Sequence, residues 1–451
     1  MEGPSPSQGS NQVVELIASI RRHLPRHPCT ALVLGLLIVV PGLHVCRFGP
    51  GPSLNSRGES ELFELSRRAR LVQSFRADPS SDAPLIWRQR LQFEVARDRW
   101  SRHGTGLWWL IWLEDGEPVL ALPKPSEPST FDLLFADDLH RSSFHNLPPI
   151  TKRSPSSLER NCLQRLTTGT AVQWRPSGLA SISGPLFSAL GTASHGCLSV
   201  VLQGDRLSAE GPVASRPFAS LNNIKGSLRT TSIRSVVPEV YLDLNSVSLQ
   251  PLLGALLNNP LIDAQLSSRY GLSPEFRDLL LDAPVAMHLQ PIKGGRYRAS
   301  VQARLMVPAD QRGQLEHSLK AVSEALLRRG FKRVEQPLFT TEGSSSRRAA
   351  SVWLDPQGDP SGGWSLGPIH EGRMEFLISL GESPNLRHRP LQRRGQQLVR
   401  LRGRPADLTS FGWLGSGWPS AVRTASQLDL EMTALPREQD PGWIRVQLDL
   451  R

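Results

Sequence analysis

Residues 239–257 read EVYLDLNSVSLQPLLGALL. Val240, Leu242 and Leu244 alternate with other residues, the two-residue period of a half-buried strand. Leu252, Leu253, Leu256 and Leu257 then fall at the three-to-four-residue spacing of an amphipathic helix. Two more helical stretches follow, and then a hairpin: 285–289, a turn at Lys293-Gly294-Gly295, and 297–305. Strand, helix, hairpin is the unit this stretch predicts.

The same order is read twice more. Val172 and Trp174 open a strand, Leu179, Ile182, Leu186 and Leu190 mark a helix, and 198–202 turns at Gly204-Asp205 into 207–213. Near the C-terminus, 398–401 leads to a short helix around Leu408 and Phe411. Leu428, Leu430, Met432 and Ala434 then alternate, as do Ile444, Val446, Leu448 and Leu450. A literal echo, PLFSAL at 185–190 against PLLGAL at 251–256, accompanies the shared order. Such units predict an α+β protein of mostly antiparallel sheets with helices on one face. Two domains are expected, 59–230 and 231–451. Between the second and third units, Leu315, Leu319, Val322 and Leu326 make one apolar helical stripe ended by Gly330. Strands are expected near 331–339, 349–354 and 374–380.

Upstream, 59–77 reads as one basic helix, and 85–100 suits strand or helix equally. Residues 107–113 and 119–122 make a hairpin around Glu114-Asp115-Gly116, with Trp108, Trp109 and Trp112 read as core. A helix is expected over 131–140.

The N-terminus carries an uncharged run, CTALVLGLLIVVPGLHVC, at 29–46, with Arg21, Arg22 and Arg26 before it and Arg47 after. Eighteen residues make roughly 27 Å of helix, close to the ~30 Å hydrocarbon core. The expectation is a single transmembrane helix at 29–46, after a cytoplasmic segment 1–28 and before a Gly/Pro/Ser linker 47–58. A cleaved signal peptide shares this layout, but no Ala-x-Ala follows. A buried core helix is the other alternative. The body is expected in the periplasm or a thylakoid lumen, and the inner or thylakoid membrane is the partner of 29–46.

A short anchor, a Gly/Pro linker, repeated strand-helix-hairpin units and phrases such as EVYLDL at 239–244 together resemble uncharacterised single-pass proteins of cyanobacteria. The large extracytoplasmic region of those proteins is a domain of unknown function. The resemblance covers most of 100–451 and implies a tethered α+β body. It implies no catalytic residue.

At 451 residues with 39% apolar content the chain can bury ordinary cores. The formal charge is +11, and only six of the 52 basic residues are Lys. Arg400, Arg402 and Arg404, in the densest basic run, would project from one face of a strand. They are candidates for an anionic lipid or an acidic protein partner. No nucleic-acid partner is expected, since no aromatic-interleaved recognition motif occurs. Cys162 and Cys197 are the right number for one bridge in an oxidising compartment; two separate buried thiols are the alternative.

Gly363-Trp364-Ser365-Leu366-Gly367 fits a hydrolase nucleophile elbow, with His370 nearby. That chemistry needs a strand, a tight turn and a helix, whereas DPQGDPSG precedes it, so Ser365 is a weak catalytic candidate. Asp137, Asp138, His140 and His145 match no metal-ligand spacing, and a solvated helix end is expected there. No metal and no cofactor is implied. The preferred reading is a non-enzymatic binding or scaffold protein; a lipid or small-molecule carrier and an exported serine hydrolase are the alternatives.

Overall fold

The computed structural model describes residues 56–113, 117–124, 130–145, 153–175, 195–214, 240–250, 260–292, 297–339, 345–385, 397–415, 420–433 and 442–450, with positions 178 and 257 besides. The apolar run 29–46, the helix expected over 179–190, the turns at 114–116 and 293–295 and both hexapeptides of the internal echo lie outside those residues. Among the described residues no helix is long and apolar enough to cross a membrane.

The chain is α+β: seventeen strands in one antiparallel sheet, with ten helices among the described residues. In the first section α1 (Ser56–Arg68) leads to β1 (Leu71–Arg76), and α2 (Leu85–Leu91) with α3 (Phe93–His103) leads to β2 (Leu107–Trp112) and β3 (Val119–Pro123). Then come β4 (Phe131–Leu134), α4 (Asp138–His145), α5 (Ser157–Thr168), β5 (Ala171–Trp174), β6 (Gly196–Gln203) and β7 (Arg206–Val213). The second section opens with β8 (Leu242–Ser246), α6 (Pro260–Tyr270), α7 (Pro274–Asp282), β9 (Val285–Pro291) and β10 (Ala299–Pro308). It continues through α8 (Arg312–Arg328), β11 (Lys332–Phe339), β12 (Ser345–Leu354), β13 (Pro360–His370) and β14 (Arg373–Leu380). It closes with β15 (Gln397–Gly403), α9 (Pro405–Ser410), α10 (Ser420–Thr424), β16 (Gln427–Thr433) and β17 (Gly442–Asp449).

Residue registers give the spatial order β4-β3-β2-β1-β5-β6-β7-β17-β16-β15-β8-β9-β10-β14-β13-β12-β11. Four trios have the same pairing: β1 with the hairpin β2–β3, β5 with β6–β7, β8 with β9–β10, and β15 with β16–β17. First strands meet at β1–β5 and β8–β15, and third strands meet at β7–β17. The β7–β17 pairing, 206–213 against 442–449, joins the strands of 71–213 to those of 242–449.

Alternation gives the sheet two faces. On the first, Leu71, Trp174, Leu244, Val285, Leu305, Phe376, Val399, Met432 and Ile444 form a core with Phe276 and Leu279 of α7 and Leu315 and Leu319 of α8. The same face at β1–β3 carries Phe75, Trp108, Leu110 and Leu120 under Trp87 of α2 and Trp100 of α3. The second face is also covered there. Leu62 and Leu65 of α1 and Leu166 of α5 pack on Val72, Trp109, Ile111, Val119 and Ala171. Helices on one face is therefore corrected: apolar residues on both sides of β1–β3 and β5 require a helical layer on each.

Two local readings are corrected as well, and the open choice at 85–100 falls to helix. Residues 59–77 divide into α1 and β1, because the backbone N–H of Arg70 donates to the Trp112 carbonyl at 2.9 Å and starts sheet pairing. Residues 131–140 divide into β4 and α4, since Asp137 Oδ1 accepts from the backbone N–H of His140 at 2.9 Å and caps a new helix. Residues 85–100 form two helices broken at Gln92, whose φ is +66°. The open edges are blunted: β4 is four residues long, and β11 carries Lys332, Arg333 and Pro337.

Candidate functional site

The sequence-predicted sites are dispersed. Ser365 lies within β13, paired with Leu377 of β14, and its buried Oγ donates to the Ala349 carbonyl at 2.7 Å. A Cβ at Gly363 would overlap the Ser351 carbonyl oxygen and crowd Pro384. This glycine thus permits close strand approach rather than an elbow. His370 is exposed and faces Glu371 at 3.9 Å.

Asp137 and His140 make a local cap with a 2.8 Å contact to Nδ1. The hydrogen bond from the His140 backbone N–H, and then His140's ring, hold the Asp137 carboxyl below its ordinary value. No group of three metal-ligating side chains occurs among the described residues. Trp108 and Trp109 are buried, Trp108 stacked on Phe75 at 4.4 Å, and Trp109 Nε1 donates to the Leu166 carbonyl at 3.0 Å. Cys162 of α5 and Cys197 of β6 are joined in a disulfide, with Cα atoms 5.4 Å apart.

Arg400 and Arg402 do share the second face of β15. Both approach the same carboxylate, Asp429 of β16, at 3.7 and 2.8 Å. Arg404 stands beyond the strand and approaches Asp407 of α9 at 3.4 Å. Registers place Asp243 of β8 opposite Arg402, and Glu431 of β16 opposite Arg400. Arg445 pairs with Glu210 at 3.0 Å and Arg206 with Asp449 at 2.7 Å. The second face from β8 through β15, β16 and β17 to β7 is thus a mosaic of opposite charges in cross-strand contact. A bare basic strip would suit a polyanion; this mosaic suits a surface of mixed charge.

Beside it, on β9 and β10, lies a buried polar cluster that sequence reasoning passed over. Gln302 and Arg304 are only 3% and 6% exposed. Glu382 Oε1 accepts from Gln290 Nε2 at 2.5 Å and from Gln302 Nε2 at 2.7 Å, fixing both amides. His288 sits in register between Asp243 and Gln302. Asp243 Oδ1, 3.4 Å from Nδ1, favours a protonated ring. Burial, and then the Arg304 charge, outweigh it and lower the His288 pKa to about 4. The available signal was weak: His288 and Gln290 in β9, and Ser300, Gln302 and Arg304 in β10, alternate with apolar residues.

Comparison with known protein families, with characterised proteins and with solved structures finds no match for this chain.

Proposed function

We propose that this chain is a membrane-tethered, non-enzymatic binding protein whose body stands outside the cytoplasm and engages a protein partner through the second face of β7, β15, β16 and β17. The charge mosaic carries the reading. It is built from side chains that meet opposite charges across the strands, and a partner of matching pattern would gain orientation and specificity from it. The buried Cys162–Cys197 bridge supports an oxidising compartment. The uncharged run 29–46 supports the tether. The four trios with identical pairing support descent from one strand-helix-hairpin unit.

A photo-crosslinking residue placed at Gln447, which is exposed amid the mosaic, should trap a protein adduct in intact cells, whereas one at Glu371 should not. Absence of an adduct at Gln447, Arg206 and Ser208 would remove the proposed face. Recovery of the full-length, unprocessed chain in the soluble fraction would remove the tether.

A further inference from the structure

An exposed cationic turn lies at the opposite edge of the sheet from β4. Residues 327–334 read LRRGFKRV. α8 ends at Arg328, Gly330 adopts φ +84°, and β11 begins at Lys332. The glycine closes the helix by letting the Phe331 N–H donate to the Leu326 carbonyl at 3.2 Å. That turn gathers Arg328, Arg329, Lys332 and Arg333, all four exposed, where the last strand of the sheet starts.

Arg333 is engaged by Glu335 at 2.6 Å, and Arg329 lies over the Tyr270 ring at 5.0 Å. Arg328 and Lys332 have no ion pair among the described residues. Two ordinary reasons exist for cations here. Basic residues suit a helix C-terminus, and charges on an edge strand prevent sheet-to-sheet pairing. Neither explains the flanking apolar side chains. Leu327 is 54% exposed and Val334 is 38% exposed, one on each side of the basic turn.

We infer that residues 327–334 form a docking element for an anionic bilayer surface, Arg328 and Lys332 meeting headgroup phosphates while Leu327 and Val334 enter the interface. Basic residues bracketed by exposed apolar ones are the pattern of peripheral membrane contact. Arg328 and Lys332, without an ion pair among the described residues, supply the complementary charge on a chain of formal charge +11. The inference rests on the tethered reading in one respect, that the body remains beside a bilayer. It replaces the Arg400, Arg402 and Arg404 row, whose charges are met by Asp429 and Asp407, as the lipid-facing surface.

The test uses the full chain in lipid nanodiscs, read by hydrogen–deuterium exchange. Amides of 327–334 should exchange at least about fivefold more slowly in phosphatidylglycerol discs than in phosphatidylcholine discs, the factor one engaged basic side chain supplies. High salt should abolish the difference. Arg328→Gln with Lys332→Gln should remove it, and Leu327→Ser with Val334→Ser should reduce it, while exchange over 285–291 stays unchanged. Equal rates in the two discs overturn the proposal. So does equal protection by soluble polyphosphate that is insensitive to Leu327→Ser and Val334→Ser, which would mark a free-polyanion site. Failure of the tether reads differently: the chain would leave the disc in high salt, yet lipid-dependent protection at low salt would still judge the docking element.

Discussion

The β1–β2–β3 and β15–β16–β17 trios share one pairing scheme, and their second faces have opposite fates. Around β1, that face presents Val72, Trp109, Ile111, Val119 and Ala121, and α1 and α5 cover it. Around β15 it presents Arg400 and Arg402 on Asp429, Glu431 in register with Arg400 and Arg445, and the exposed Arg445 paired with Glu210 of β7. The first face is apolar in both. One packed face and the strand registers suffice to hold the trio, so the second face is left to carry either another core layer or a recognition surface.

The widest way to sharpen this contrast is Trp109→Ala, which empties the second-face core and cuts the bond to Leu166. Chemical denaturation should show a loss of about 3–5 kcal/mol. A loss near that expected at an exposed position would break the comparison. Next, Cys162→Ser with Cys197→Ser frees α5 from β6 across a separation of 35 residues. The chain-entropy estimate for that loop is about 3–4 kcal/mol. Differential alkylation of the native chain should find neither thiol free.

His288 tests the polar side of the comparison. Its folded pKa, about 4, lies below the ordinary 6.5, so the unfolded chain binds the proton first on acidification. The neutral ring's contribution is intact above pH 6.5 and is lost as pH falls towards 4. The loss is about 3 kcal/mol at most, and His288→Gln should flatten the stability profile across that window.

Ser365→Ala removes the buried hydrogen bond to the Ala349 carbonyl and should cost about 1 kcal/mol. Labelling by a fluorophosphonate that vanishes in this variant would instead revive the hydrolase alternative. Arg445→Ala, an exposed member of the mosaic, should change stability by less than about 0.5 kcal/mol. A substantial loss would mean that the mosaic supports the fold rather than standing ready for a partner.

Legibility followed the local strength of the pattern. The hairpin of β2 and β3 could be read because two short apolar runs, LWWLIW and VLALP, flank the turn residues Glu114-Asp115-Gly116. α8 could be read because its apolar stripe ends at Gly330. β13 is not legible in the sequence: PSGGWSLGPIH has poor strand propensity, and pairing with β12 and β14 overrides it. β1 was merged into a helix because LVQSFR is buried along nearly its whole length and loses the two-residue alternation. Alternation puts Arg400 and Arg402 on one face, yet the Asp429 that meets both comes from the next strand, 27 residues beyond Arg402.

The amino-acid order by itself determined the types of the strongly patterned elements such as α8 and the β16–β17 hairpin, the strand-helix-hairpin rhythm, the apolar N-terminal run and the pair of body cysteines, because these depend on spacing within a few residues. Only the tertiary structure decided that the trios meet first strand to first strand and third to third, that α1 and α5 cover a second face, and that Arg328 and Lys332 have no ion pair among the described residues. Those outcomes depend on contacts between segments far apart in the chain, where no local period carries information.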